Sequence, residues 1–142
     1  MKCDLTEQGQ TTILVVGLAL VVFAVTGLAV DGTRAFLFRR TLQNIADSSV
    51  LAAAADIDQS RYYASGGRVL QLDPTRADET ARQWLNRRGI DLGVSVDANE
   101  DGVHVTARGA LDSTFLALVG IDRIPVEVNA AARPLPGRVP NP

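Results

Sequence analysis

"GQTTILVVGLALVVFAVTGLAVDGTRAF", Gly9 to Phe36, decides how the rest of the chain is read. No ionisable side chain occurs from Gln8 to Val30. An α-helix rises about 1.5 Å per residue, so about 20 apolar residues cross a hydrocarbon core of about 30 Å. Ile13 to Val30 is nearly that long, and the flanking Gln10, Thr11 and Thr12 are uncharged. Gly17, Thr26 and Gly27 interrupt the run with small residues, which membrane helices tolerate and which let neighbouring segments come close. A secretory signal has an apolar stretch of only about 7–15 residues and ends at a small-x-small site. Here the run is longer and ends Leu28-Ala29-Val30-Asp31 with no Ala-x-Ala, while Ala52 to Ala55 lie too far downstream to serve. The expectation is an uncleaved transmembrane helix over 10–31, preceded by a leader-like segment, 1–9, in the cytoplasm.

The helix is expected to continue. From Thr33 to Ala55 there is no proline and no further glycine. Ala35, Phe38, Leu42, Ile45, Ala46, Ser49 and Ala53 share one face at helical spacing, with Arg40, Asn44 and Asp47 opposite. This predicts an amphipathic stem over 32–55. Its apolar stripe has two readings of equal weight: packing on the protein's own soluble part, or packing on other subunits.

Beyond the stem, 56–72 reads as a loop ending in Gly66-Gly67. Within it, Tyr62 and Tyr63 read as packing residues. A small soluble domain is expected over 73–133. Asp73-Pro74 opens a helix with a capping side chain and a proline at the first helical position. Ala77, Ala81, Trp84 and Leu85 form its apolar face, with Trp84 as the core residue that seats it and Gly89 as its end. Leu92, Val94 and Val96 alternate with polar residues or glycine, as do Val103, Val105 and Ala107, which marks two half-buried strands around the turn "DANEDG". "STFLALVG" reads as a short helix capped at Ser113 and stopped at Gly120. A last strand covers Ile124 to Ala132, with Pro125 suited to an edge strand or a strand's first residue. The tail, 134–142, is rich in proline and glycine and is expected to be disordered. The fold class is therefore α+β: a long N-terminal transmembrane and amphipathic helix, then helix, strand, strand, short helix, strand.

Composition narrows the function. The 142 residues carry a formal net charge of −2, which argues against a nucleic-acid partner. Cys3 is the single cysteine, so no intrachain disulfide framework exists, and it reads as an incidental thiol. His104 is the single histidine and is placed on the solvent face of its strand. Asp56 and Asp58 fall in the polar loop and do not read as a catalytic pair. Asp97, Asn99 and Asp101, followed by Gly102, match the opening of a calcium-binding EF-hand loop. That loop ends in a bidentate glutamate, and the corresponding position holds Arg108. A hairpin turn accounts for the same residues, so calcium is the weaker alternative. No GxSxG, phosphate-binding loop or zinc motif occurs. The sequence predicts no enzyme, no cofactor and no small-molecule substrate.

Gly9-Gln10, the apolar run, Asp31, Arg39-Arg40, Leu42-Gln43-Asn44, Ala46-Asp47 and the alanines 52–55 form a combination that resembles the N-terminal segment of the TadE/TadG-like proteins of the tight-adherence (Tad, or Flp) pilus system. The resemblance covers about the first 55 residues. It implies a minor-pilin-like or accessory component of pilus assembly in the cell envelope. It also implies membrane lipid and other pilus or Tad-system subunits as partners through the N-terminal helix. Minor pilins of this type are cut by a prepilin peptidase after a glycine, and Gly9 matches that position. Pilins commonly carry glutamate five residues into the mature chain, where this sequence has Leu14. The resemblance implies a single pass through the cytoplasmic membrane with the soluble domain outside the cytoplasm. The basic residues, Lys2 before the span against Arg34, Arg39 and Arg40 after it, favour the opposite orientation. The expectation follows the resemblance, because dedicated assembly machinery can override that bias. The competing reading is a single-pass membrane protein whose outer domain binds a ligand or partner unrelated to pili.

Overall fold

A computed structural model describes residues 5–88 and 93–134. Gly89, Leu92, Cys3 and the tail from 135 onward, on all of which the sequence carries expectations, lie outside the described residues. The elements run α1 (Leu5–Ala53), α2 (Gln59–Ala64), α3 (Pro74–Asn86), β1 (Gly93–Asn99), β2 (Gly102–Asp112), a 3₁₀ turn (Leu116–Val119) and β3 (Arg123–Ala132). The strands form one sheet in the order β1-β2-β3. The expected α+β class and element order are found.

α1 is 49 residues long and has no break. Its most apolar window is only 6% buried, and Ile13, Leu18, Leu20, Val21 and Val25 are all more than half exposed. The core helix of a soluble protein would be mostly covered. This one is long and apolar enough to cross a membrane. Its hydroxyls do not hinder that. Thr26 Oγ1 donates to the Val22 carbonyl and Thr33 Oγ1 to the Ala29 carbonyl, each at 2.8 Å, so both are satisfied within the helix.

The chain divides into two compact units, one made of 1–37 with 111–124 and the other of 38–110 with 125–142. In the second, a single core joins three layers of residues. Leu42, Ile45, Ala46, Val50 and Ala53 come from α1, and Ala77, Ala81 and Leu85 from α3. Val103, Val105, Ala107, Val128 and Ala130 come from one face of the sheet. The alternation read in the sequence places them there, since successive strand residues point to opposite faces. β1 and β2 pair antiparallel from Gly93 opposite Arg108 to Asn99 opposite Gly102. β3 lies at an edge of the sheet, where Pro125 can be accommodated without an N–H.

Asp73 caps α3 as expected, its carboxylate accepting from the Thr75 and Arg76 amides at 3.1 and 3.2 Å. Trp84 departs from expectation. It is half-buried rather than central, its indole N–H has no hydrogen-bond partner, and the Arg88 guanidinium lies 5.7 Å from the ring centroid. The seat of α3 is Ala77, Ala81 and Leu85, the two alanines being small enough for the helix to lie close to the sheet and Leu85 supplying the apolar bulk.

The segment 56–72 is also more ordered than a loop. Asp58 caps the six-residue α2, accepting from the Arg61 amide at 3.1 Å. Ile57 bridges Leu72, and the Asp73 amide donates to the Asp56 carbonyl at 2.9 Å, so the excursion closes on itself. "QSRYYA" has no apolar period because α2 buries nothing, so periodicity gives no sign of it. Tyr63 is 76% exposed and meets Tyr62 edge-on at 5.7 Å, which makes the pair a surface contact rather than packing for a core.

Leu42→Ala empties a position that is 1% exposed. Such truncations cost about 2–5 kcal/mol. Urea unfolding of the detergent-solubilised full chain should therefore show a large loss of stability for this variant. The exposed Arg40→Ala should leave the midpoint unchanged.

Candidate functional site

The most concentrated set of polar contacts in the first unit is centred on Asp31. This carboxylate sits at the end of the apolar run of α1, yet it is only 1% exposed. A buried charge is tolerated only when its lone pairs are engaged. Here Oδ2 accepts from the amides of Phe115 and Leu116, both at 2.8 Å, and Oδ1 from that of Thr114 at 3.1 Å, with a longer 3.3 Å contact from Thr114 to Oδ2. Arg34, one turn further along α1, lies 3.7 Å from Oδ1 and donates to the Thr114 hydroxyl.

These three amides open the 3₁₀ turn Leu116–Val119, and the first amides of any helical turn lack partners within it. The sequence predicts that Ser113 caps this turn. It does not: the turn starts from Phe115 with no side-chain cap of its own, and Ser113 instead donates its hydroxyl to the Ile121 carbonyl. Asp31 does the capping from more than eighty positions away. A charged acceptor is the stronger choice, because charge-assisted hydrogen bonds are about twice as strong as neutral ones. Gly120, at φ 87°, ends the turn in the left-handed region as its glycine predicts.

Phe115 extends the attachment along the helix. Its ring meets Phe23 edge-on with centroids 5.6 Å apart. A Cβ on Gly27 would stand 2.7 Å from the Phe115 Cβ, so only glycine admits the ring there. Phe23, Gly27 and Asp31 recur at intervals of four and thus form one face of α1. Together they hold "STFLALVG" against the helix by one aromatic contact, one close approach and one carboxylate. The carboxylate's acceptor sites are taken up by backbone amides, so the arrangement is suited to a structural tie rather than to moving a proton.

The remaining residues of the sequence pattern fall in several places. Gly9 and Gln10 lie in α1, and Arg39, Arg40, Asn44 and Asp47 are exposed. Gln43 Nε2 donates to Asp47 Oδ1 at 2.9 Å and to the Asn129 carbonyl of β3 at 3.0 Å. Of the predicted helix face, Leu42, Ile45, Ala46, Ser49 and Ala53 are buried, while Ala35 and Phe38 are half-buried. Between the two readings of that stripe, the structure gives Leu42, Ile45, Ala46 and Ala53 to the protein's own core. His104 is exposed, as expected. Asp97, Asn99 and Asp101 lie at the β1–β2 hairpin, where Asn99 Oδ1 accepts from the amides of Asp101 and Gly102 at 2.9 and 3.0 Å and is thereby engaged in its own turn. Among the described residues no group of three or more His, Cys, Asp or Glu is placed to hold a metal ion.

Gly27, Arg34 and Phe115 were missed as a group. Gly27 was visible as a small residue one turn before Asp31, but its partner comes from a distant loop.

Residues 9–56 match the Tad family model, described as "Putative Flp pilus-assembly TadE/G-like". The resemblance read from the sequence is thus found for that segment, and the match ends close to the end of α1. No curated protein and no solved structure matches the chain.

Gly27→Val should force Phe115 off the helix and lower stability, with overpacking of this kind costing about 1–3 kcal/mol. Gly17→Ala meets nothing within 4 Å and should lose no stability, with a small gain from helix propensity. Thermal unfolding of both variants in the same detergent separates close packing at Gly27 from a general glycine effect.

Proposed function

We propose that this protein is a non-enzymatic, membrane-anchored component of Tad/Flp pilus assembly, either minor-pilin-like or accessory. The observation that carries the proposal is the family match over 9–56, on a helix whose apolar half is exposed and long enough to span a bilayer. In this reading, residues 10–31 cross the cytoplasmic membrane once and the soluble domain lies outside the cytoplasm. Other pilus or Tad-system subunits meet the protein through the N-terminal helix.

The buried stripe refines which surface they would use. Leu42, Ile45, Ala46 and Ala53 are already engaged in the core. Contacts between subunits therefore fall to the exposed apolar part, such as Leu14, Leu18, Val21 and Val25. Helices in lipid associate through close packing rather than through a hydrophobic driving force, so Gly17, which has open space around it, is a natural approach point. Gly9 is where a prepilin peptidase would cut in this reading. A cut there would leave the whole apolar run and every residue of the Asp31 site in the mature chain.

Deletion of the gene in its native host should abolish surface pili, and the full chain supplied in trans should restore them. Unchanged piliation in the deletion strain contradicts the proposal.

A further inference from the structure

The loop that Asp31 holds has an apolar tip with no cover. Leu118 is 72% exposed, Val119 74% and Ile121 48%. In water, three large apolar side chains on one short turn are an unfavourable surface, and contiguous exposure of this kind marks an interaction site. The occupant is indicated by where the loop is fastened. Phe115 touches Phe23 and Gly27, which belong to the apolar run itself. These residues lie about 12 and 6 Å before Asp31 along the helix axis. If the run is within a bilayer, the loop's anchor is already below the level of Asp31.

We propose that the tip of the loop, Leu116 to Ile121, inserts into the lipid at the membrane face where α1 emerges, giving the protein a second membrane contact beside its helix. This rests on the reading that α1 spans the membrane.

Seven backbone amides between Ser113 and Ile121 have acceptors within the chain, which lowers the cost of such a position. Unsatisfied amides and carbonyls in hydrocarbon cost several kcal/mol each. In this loop the amides of Thr114, Phe115 and Leu116 go to Asp31. Those of Ser113, Leu118, Gly120 and Ile121 go to the carbonyls of Asp122, Phe115, Ala117 and Leu116, at 2.9 to 3.1 Å. Leu116–Ile121 carries no charge of its own; the exposed Asp122 follows it directly, and Asp112 and Arg123 pair at 3.1 Å where the loop leaves and rejoins the strands. An apolar tip, a backbone with most of its amides engaged and a charged neck are the features of an element seated at the headgroup boundary, where interfacial segments bury their apolar face about 5–10 Å deep. Asp31 itself is compatible with that boundary because its charge is matched by amides and by Arg34.

The test uses the full chain with Cys3→Ser, reconstituted in phosphatidylcholine–phosphatidylglycerol vesicles and spin-labelled at one introduced cysteine. Collision with oxygen, which concentrates in lipid, is compared with collision with a water-soluble nickel chelate. Leu118→Cys and Val119→Cys should favour oxygen, as Leu18→Cys in the helix should, while Asp101→Cys on the hairpin should favour nickel. A water-like result at 118 and 119 with a lipid-like result at 18 overturns the insertion and leaves the spanning helix intact. A water-like result at 18 overturns both. A label at 118 or 119 shielded from both agents, with lipid-like behaviour at 18, assigns the tip to a protein partner such as a second copy and also overturns the insertion.

Discussion

The arrangement of the first unit depends on a single carboxylate whose acceptor capacity is consumed by amides from another part of the chain. Asp31 would be a liability at the end of a run long and apolar enough to span a membrane if it stood alone, because burying an unpaired charge is among the costliest events in folding. The chain resolves this by bringing the opening of a 3₁₀ turn to it. The turn gains a cap it cannot supply locally, and the carboxylate gains donors that are not water. Each side removes the other's unsatisfied groups, so disruption of either leaves both exposed.

α1 serves different purposes along its length. From Ile13 to Val30 it carries no charge and is apolar on nearly every side, as for a helix whose solvent is lipid. From Phe38 onward one face is apolar and is spent on the core with α3 and the sheet. The matched family segment, 9–56, covers both parts and contains Asp31, Leu42, Gln43 and Ala46. Their structural positions give that pattern a physical content: Asp31 holds the loop, Leu42 and Ala46 fill the core, and Gln43 reaches the carbonyl of Asn129 on β3.

Much of this was legible in the sequence because it rests on period and composition. The apolar run, the stripe from Leu42 to Ala53, the Asp73-Pro74 helix start and the alternation around Val105 and Val128 are local signals. What was not legible depended on chain closure. Ser113 looked like the cap because capping is ordinarily local, and nothing near Asp31 in sequence indicates that its partners are Thr114, Phe115 and Leu116. α2 escaped because a short helix that buries nothing has no hydrophobic period. Size alone suggests Trp84 as a core residue, whereas Ala77, Ala81 and Leu85 take the buried positions of α3 and Trp84 stays half-buried.

Asp31 fixes the 3₁₀ turn by accepting the amides at its start. Hydrogen exchange at individual amides of the full chain in bilayers measures this directly. In the native protein, Thr114, Phe115 and Leu116 should be protected. Asp31→Asn places an amide donor against backbone donors, and should accelerate exchange at these three positions by about tenfold or more, while Val103 and Val105 in the sheet keep their protection. Unchanged protection at 114–116 in that variant would contradict the account.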